Sequence, residues 1–287
     1  MKVLLFGKDG MVGRAFQRLA SESGVTLEAY GRAEADFAQP ELCAGLVSRS
    51  DADVVVIAAA YTAVDRAEDE REAAIVINGK TPGAIAEAAA RRDMPVVHIS
   101  TDYVFNAEHD QSLQPGDPVD PVNAYGASKL AGEEAVRAAG GPHAIFRTSW
   151  VFSADGQNFV KTMLRLGAER TELNVVGDQI GGPTSARRVA DACLAAAKAL
   201  LADPAKSGTY HYAGEPAVSW ADFARDIFAL SGLDVQVVDI PTNAYPTPAK
   251  RPANSRLDSS KAHAVFGLAV ADWKRDLAET IQELQSK

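Results

Sequence analysis

The sequence has too little cysteine, too little positive charge and too few long apolar runs for several classes of protein. Its two cysteines, Cys43 and Cys193, stand in helical stretches rich in alanine and leucine, which predicts buried free thiols rather than a disulfide framework. Lysine and arginine number 29 against 38 acidic residues, so a general nucleic-acid surface is not expected. The longest apolar run, 54–61, is too short to span a bilayer, and the apolar stretch 3–6 is too short for a signal sequence. We therefore expect a reduced, cytoplasmic protein without membrane or nucleic-acid partners.

What the sequence does contain is an alternation of apolar, strand-like runs with helical stretches. In the first half the runs are apolar on both faces, which is typical of a parallel sheet covered by helices. They span 2–7, 25–30, 53–60, 95–100 and 143–150. This pattern predicts an α/β protein with a Rossmann-type doubly wound parallel sheet and a smaller C-terminal α/β substrate domain.

The domain division that we predict is 1–147 for dinucleotide binding and 148–287 for mainly substrate binding, with a segment near 186–212 returning to the first. Further strands are expected at 172–178, 208–214 and 235–240, and helices near 158–168, 186–202 and 219–231. The proline-rich stretch 241–260 predicts an irregular surface segment whose polar and basic groups face a ligand.

A glycine-rich loop, GKDGMVG at 7–13, follows the first predicted strand and opens a helix. Glycines here let backbone N–H groups approach a pyrophosphate closely, and a helix N-terminus adds partial positive charge. The third strand ends in small side chains at 58–62, which would let the backbone pass beneath a nicotinamide ribose. A structural turn without a ligand remains the alternative.

The end of the second strand bears on the choice of dinucleotide, because an acidic residue there binds the ribose hydroxyl of NAD whereas an arginine accommodates the phosphate of NADP. Arg32 favours NADPH, with NADH possible through Glu28 or Asp36, and a solvated arginine is the alternative. The predicted cofactor-binding residues are Gly7, Asp9, Gly10, Met11, Val12, Gly13, Arg32, Asp36, Phe37, Ala58, Ala59, Ala60, Tyr61, Thr62, Tyr125 and Lys129.

Tyr125 and Lys129 stand four residues apart in a predicted helix, so both lie on one face and can share a ligand. A phenol needs its pKa of about 10 lowered by roughly 3 units to exchange protons freely near pH 7. We expect Lys129 to lower the pKa of Tyr125 and to hold the nicotinamide ribose, and Thr101, at the end of the fourth strand, to place a hydroxyl beside the phenol. His98, within that strand, is expected to be a core histidine with satisfied hydrogen bonds.

At these residues the chain resembles the extended short-chain dehydrogenase/reductase superfamily and, more narrowly, the dTDP-4-dehydrorhamnose reductase family. The motifs that carry the resemblance cover nearly the whole chain: LLFGKDGMVG at 4–13, AAAYTAVDRAE at 58–68, STDYVF at 100–105, YGASKLAGEE at 125–134, FRTSWVF at 146–152, NFVKTMLRL at 158–166, GGPTSA at 181–186 and YPTPAKRPANSRLD at 245–258. The resemblance implies reduction of the 4-keto group of dTDP-4-dehydro-L-rhamnose by NAD(P)H, giving dTDP-L-rhamnose for cell-surface polysaccharides.

The resemblance also implies roles for particular residues. Tyr125 would donate its proton to the forming alkoxide, with Thr101 and Lys129 beside it as the other catalytic residues. The implied substrate contacts are Thr101, Asp102, Tyr103, Trp150 and Arg256, with Lys250 and Arg251 as further candidates for the diphosphate.

Other functions remain open: a related NDP-4-keto-6-deoxysugar reductase, an epimerase, or a non-catalytic regulatory subunit on the same fold. Dehydratases of the superfamily usually carry Asp-Glu after the threonine, and Tyr103 at the Glu position disfavours that activity. In some bacterial members acidic side chains bind Mg²⁺ at a dimer interface. The matching positions are Ala15 and Arg187, which cannot coordinate Mg²⁺, so we expect no metal there and leave monomer and homodimer open.

Overall fold

Strands and helices alternate through the first half of the chain, in a computed structural model that describes residues 1–106 and 108–286. The strands are β1 (Lys2–Phe6), β2 (Thr26–Tyr30), β3 (Val54–Ile57), β4 (Val96–Thr101), β5 (His143–Thr148), β6 (Val151–Phe152), β7 (Glu172–Val176), β8 (Ile180–Gly181), β9 (Thr184–Ser185), β10 (Gly208–His211), β11 (Gly214–Glu215), β12 (Val218–Ser219), β13 (Gln236–Ile240), β14 (Asn254–Ser255) and β15 (Ala271–Asp272). The helices are α1 (Met11–Glu22), α2 (Pro40–Arg49), α3 (Arg71–Ile75), α4 (Thr81–Ala90), α5 (Ala124–Ala138), α6 (Phe159–Gly167), α7 (Ala186–Ala202), α8 (Trp220–Ser231), α9 (Ser260–Phe266) and α10 (Trp273–Gln285).

The central sheet has six parallel strands in the order β10-β5-β4-β3-β1-β2. The strand order reverses at β1, and in open sheets of this kind ligands bind outside the carboxyl ends of the strands at such a switch point. The carboxyl ends of β1 and β3 therefore mark the expected crevice. The predicted doubly wound α/β class is confirmed.

Separate apolar layers cover the two faces of this sheet. One layer packs α1 and α7 against side chains such as Val3 and Val54, and the other packs α2 and α4 against Leu4 and Val55. Neighbouring residues of one strand thus serve opposite layers, because side chains alternate along a strand. Each fully buried side chain of this size contributes about 1.5–3 kcal/mol, so the layers fix the strand ends that carry the site.

The second half of the chain builds a smaller core of its own. β7 and β13 form a parallel pair, and α6, α8 and α10 pack around Phe223 and Trp273. However, α7 packs on α1, β10 extends the central sheet beside β5, and Ala262 of α9 joins the first core. The chain therefore passes between the two cores more than once, and the return of α9 was not expected from the sequence.

The proline-rich stretch 241–260 is irregular as predicted, but it does not lie wholly at the surface. Its strand β14 pairs with β8, and Asn254 and Ser255 are buried. The Asn254 amide donates hydrogen bonds to the carbonyls of His109 and Gln111, at 2.7 and 2.8 Å. This stretch is therefore bound to the first half of the chain.

Both cysteines are buried free thiols, as predicted. Burial raises the pKa of Cys43 to about 11 and that of Cys193 to about 12, so neither is a reactive thiolate near neutral pH. Within the described residues, the helices are all too short or too polar to cross a bilayer.

Candidate active site

The glycine-rich loop connects β1 to α1 at the switch point of the sheet. A Cβ on Gly7 would lie 2.5 Å from the Ala59 nitrogen, and one on Gly13 would lie 2.0 Å from the Gly7 oxygen, so close packing excludes side chains at both. A Cβ on Gly10 would make only an ordinary contact with the Gly7 oxygen, at 3.5 Å, and Gly10 is exposed to solvent. Among the described residues no side chain caps the start of α1, so its first N–H groups can face a ligand. This geometry fits a pyrophosphate.

The other predicted cofactor residues lie around the same strand ends. Ala58 to Thr62 follow β3 and pass directly beside Gly7, and the Tyr61 hydroxyl donates to Glu70 at 2.7 Å. Asp36 accepts the Ala38 N–H beyond β2. The remaining ones are an exposed Asp9, half-buried Met11 and Val12 on the first turn of α1, and Phe37, whose ring packs edge-on against Phe6.

Glu28 was wrong as a candidate for the ribose. Its carboxylate accepts hydrogen bonds from Ser50 at 2.8 Å and from Tyr30 at 2.9 Å, and it pairs with Lys2 at 3.1 Å. Lys2 begins β1, so these contacts hold the carboxylate away from the carboxyl end of the sheet. Arg32 is exposed just beyond β2, where we expected it.

Thr101, Tyr125 and Lys129 come together where β4 ends and α5 begins. The Asn123 side chain caps α5 by accepting the Gly126 N–H at 2.7 Å, which starts the helix one residue before Tyr125. The Thr101 side chain lies close enough to the Tyr125 phenol to lower the pKa of that phenol. Lys129 is 2% exposed, and its ammonium donates to the Ile99 carbonyl at 2.7 Å.

The protonation of this trio differs from our expectation. Burial raises the pKa of Tyr125 to about 12, although Thr101 lowers it, and Lys129 faces a strand carbonyl rather than the phenol. Burial likewise lowers the pKa of Lys129 to about 8, with Glu133 acting in the opposite direction. The phenol is therefore neutral near pH 7, which is the form that can donate a proton.

Asp102 lies in the floor of the crevice with unused hydrogen-bonding capacity. It is 2% exposed, its Oδ1 accepts the Thr101 hydroxyl at 3.0 Å, and the Ser255 side chain lies close enough to lower its pKa. Burial raises the pKa of Asp102 to about 6. Its Oδ2 and the Oγ1 of Thr148, which is paired with Thr101 in the sheet, have no partner among the described residues. Buried polar atoms normally have partners, so these two suit a polar ligand.

Two aromatic pairs include the aromatic residues that were predicted to contact the substrate. The Tyr103 ring meets Tyr125 edge-on at 5.6 Å between centroids. Trp150 has a left-handed backbone, φ 50°, and its ring stacks on Trp220 at 3.5 Å. Strained backbone of this kind is concentrated at ligand sites.

The basic candidates of the later stretch have different environments. Arg251 forms an ion pair with Asp65 at 2.9 Å and is close enough to Tyr103 to lower its pKa, although burial raises that pKa overall. Arg256 donates to the Asn254 side chain at 3.1 Å. Lys250 is exposed, and its carbonyl accepts the side-chain amide of the cap residue Asn123 at 2.7 Å. Neither Asp65 nor Ser255 was predicted to join the site.

A buried ion pair lies behind the trio and was missed at the sequence level. Glu133, one helical turn after Lys129, is fully buried and takes two hydrogen bonds from Arg147, at 2.8 and 2.7 Å. It also accepts the Ser100 hydroxyl at 2.6 Å. Burial would raise the pKa of Glu133, but Arg147 outweighs it and holds that pKa below its usual range. The cluster ties α5 to β4 and β5, the elements that carry Thr101, Tyr125 and Lys129.

His98 is a core residue as expected, but its hydrogen bonds are not satisfied. It is 0% exposed, and neither ring nitrogen has a partner among the described residues. Burial, with the nearby positive charge of Lys129, lowers its pKa well below the usual value. A neutral imidazole is the form that such a site tolerates.

The positions that match the family's Mg²⁺ ligands do not fit a metal. Ala15 is buried in the core between α1 and α7. Arg187 pairs with Glu22 at 2.6 Å and with Asp191 at 3.4 Å. An arginine cannot ligate a hard cation, so any assembly through this face would need different chemistry.

Comparisons with known proteins agree with this geometry. The family model for the RmlD substrate binding domain matches residues 1–286. The chain is 44% identical to a dTDP-4-dehydrorhamnose reductase of Burkholderia thailandensis over 299 residues, covering 100% of both chains. A dTDP-4-dehydrorhamnose reductase structure from Clostridium acetobutylicum has a TM-score of 0.93 and 37% identity, covering 99% of this chain and 100% of the other. One from Bacillus anthracis, in complex with NADP, has a TM-score of 0.91 and 32% identity, covering 98% and 99%.

Proposed function

We infer that this chain, which belongs to the dTDP-4-dehydrorhamnose reductase family, reduces the 4-keto group of dTDP-4-dehydro-L-rhamnose to give dTDP-L-rhamnose. The observation that carries the proposal is the neutral phenol of Tyr125, which lies beside Thr101 at the carboxyl edge of the sheet that also presents the glycine loop. A reductase needs a proton donor beside a dinucleotide site, and this edge supplies both.

The dinucleotide fits the loop, and NADPH, when bound, supplies the hydride that reaches the keto carbon. Gly7 and Gly13 shape the cradle for its pyrophosphate, and the open face of Gly10 admits it. NADPH is the preferred cofactor in our proposal, with NADH accepted, because Arg32 is exposed at the ribose end. A relative from Bacillus anthracis was solved in complex with NADP, which agrees with this choice.

Tyr125 protonates the oxygen that becomes negative as hydride reaches the carbon. Its raised pKa means that the proton is in place before reduction begins, and no prior deprotonation is needed. In this proposal the Thr101 hydroxyl, beside the phenol, helps to orient the substrate carbonyl. The buried ammonium of Lys129 lies one turn along the helix and stabilises the negative charge that develops in the pocket.

The sugar pocket in this proposal uses the unpartnered groups of the crevice. Asp102 offers its free Oδ2 to a sugar hydroxyl, and Tyr103 and Trp150 supply apolar and aromatic walls. Arg256, with Lys250 and Arg251 as further candidates, meets the diphosphate by charge-assisted hydrogen bonds. The buried free thiols support a cytoplasmic location, and we propose a monomer or homodimer without a bridging metal.

The test is the loss of absorbance of NADPH, and separately of NADH, on addition of dTDP-4-dehydro-L-rhamnose, with the product identified by NMR. We expect cofactor oxidation that depends on the sugar and dTDP-L-rhamnose as the product. A product with the opposite configuration at the reduced carbon would make the chain a related 4-keto-6-deoxysugar reductase. Tight binding of the dinucleotide without any oxidation would contradict the proposal and favour a non-catalytic subunit.

A further inference from the structure

A charged pair that no prediction used lies at the ribose end of the crevice. Lys8, the second residue of the glycine loop, forms an ion pair with Glu34 in the turn after β2. The other oxygen of Glu34, Oε2, accepts the Gly31 N–H at 3.0 Å. The carboxylate is therefore held from two sides, by a backbone N–H and by an ammonium.

The surrounding backbone places this pair at the end of β2. The N–H groups of Gly7 and Lys8 both donate to the Tyr30 carbonyl, at 2.8 and 3.1 Å, so the loop is fixed against the strand. A Cβ on Gly31 would lie 2.1 Å from the Asp9 carboxylate and 3.1 Å from the Lys8 side chain, so these side chains pack directly over Gly31.

The end of the second strand is where a dinucleotide-binding sheet meets the adenosine ribose, with a carboxylate for a 2′-hydroxyl or a cation for a 2′-phosphate. This chain has both kinds of group there. Glu34 is the carboxylate, and the cations are Lys8, which is paired with it, and Arg32, which is exposed two residues before it. The carboxylate accepts a hydrogen bond from a hydroxyl. The same carboxylate repels a phosphate dianion. It is also paired with the Lys8 ammonium, which the phosphate would need as its own partner.

We propose that Glu34 sets the balance between NADPH and NADH by competing with the 2′-phosphate for Lys8. The inference rests on the proposed function, since it concerns the dinucleotide site of that reductase. With NADH, Glu34 keeps Lys8 and accepts the 2′-hydroxyl. With NADPH, Lys8 leaves Glu34 and joins Arg32 in pairing with the phosphate.

The pair is exposed enough to make this exchange. The side chains of Lys8 and Glu34 are 29% and 44% exposed, so their attraction is weak in water and a phosphate can replace the carboxylate. The Gly31 N–H keeps the released Glu34 at the site instead of letting it move away. Both cofactors are therefore accepted, and the carboxylate moderates the preference for NADPH.

The experiment compares the binding of NADP⁺ and NAD⁺ to the free enzyme by calorimetry, with no sugar present. Glu34→Gln removes the competing charge with little change of shape, and Glu41→Gln is the matched control, an exposed carboxylate on the first turn of α2. We expect Glu34→Gln to tighten NADP⁺ binding about three- to tenfold and to weaken NAD⁺ binding slightly. Lys8→Met should weaken NADP⁺ about tenfold and leave NAD⁺ nearly unchanged.

The ratio of the two dissociation constants decides the matter. A ratio that moves in Glu34→Gln and stays at the wild-type value in Glu41→Gln supports the inference. A ratio that is the same in all the glutamate variants overturns it while the reductase proposal stands, and so does an unchanged ratio in Lys8→Met. If the wild type binds neither dinucleotide, the proposed function fails together with the inference.

Discussion

The two ends of the crevice use charge in opposite ways. At the catalytic end, Glu133 and Arg147 are buried with two mutual hydrogen bonds, behind Lys129. At the ribose end, Lys8 and Glu34 form an exposed pair with a single contact between them. A buried pair cannot exchange partners, because either charge left alone would lack both solvent and counter-charge. An exposed pair can exchange at small cost, so one end fixes geometry and the other adjusts to its ligand.

The largest effect at the catalytic end should come from Tyr125→Phe, which removes the proton donor and keeps the ring. We expect the reduction rate to fall by about 10²–10⁴-fold, because that is the usual contribution of general acid catalysis. The binding of NADP⁺ should change little. Stopped-flow rates and calorimetry measure the two quantities, and the control is Tyr210→Phe, which removes a phenolic hydroxyl that donates to the Lys206 carbonyl.

Glu133→Ala should cause the next largest effect, this time on folding. The substitution leaves Arg147 buried without its partner, which typically costs about 3–5 kcal/mol in the free energy of unfolding. Glu34→Ala, at the other end, should leave the urea midpoint within error of the wild type. Equal losses in the free energy of unfolding of Glu133→Ala and Glu34→Ala would contradict the view that the buried pair is structural and the exposed pair is not.

Asp102 gives the catalytic end a stability that depends on pH. Its pKa in the folded chain is about 6, above the ordinary value of 3.8, so the folded state binds the proton more tightly than the unfolded state does. The contribution to stability is therefore present below about pH 4 and is lost as the pH rises through 6, by about 2–3 kcal/mol. In denaturant titrations, the free energy of unfolding of Asp102→Asn minus that of the wild type should rise by this amount between pH 4 and pH 7. A constant difference across that range would refute the assignment.

Ionic strength should produce the smallest effect, confined to the ribose end. Raising NaCl from about 50 mM to about 500 mM should weaken NADP⁺ binding about three- to fivefold, since exposed charges are screened. Binding of NAD⁺ and the thermal midpoint should change less. A salt dependence that is equal for the two dinucleotides would remove the role assigned to the 2′-phosphate.

The sheet was predictable because its signal is local. Continuous apolar runs such as 3–6 and 54–57 are long enough to identify buried parallel strands without knowing their neighbours. The positions of Tyr125 and Lys129 are also local, since helix periodicity alone puts them on one face. The substrate was predicted from the family's motif blocks, because hydrophobic periodicity carries no information about a ligand.

The missed features all depend on residues that are distant in sequence. Glu133 meets Arg147 only because α5 packs on β5, and Ser255 reaches Asp102 only because β14 pairs with β8. The error over Glu28 has a related cause, because a carboxylate near a strand end can point to either edge of the sheet. Here the contacts with Lys2 and Ser50 decide.

The last strand of the central sheet has a consequence for engineering. β10 comes from the second half of the chain and pairs with β5, which would otherwise be the edge of the sheet. A fragment cut at the predicted boundary near residue 147 would expose the N–H and C=O groups of β5 along its whole length, and such edges recruit other strands. Chimeras that exchange sugar specificity should therefore keep α7 and β10 with the dinucleotide half, and transplant only the segments on either side.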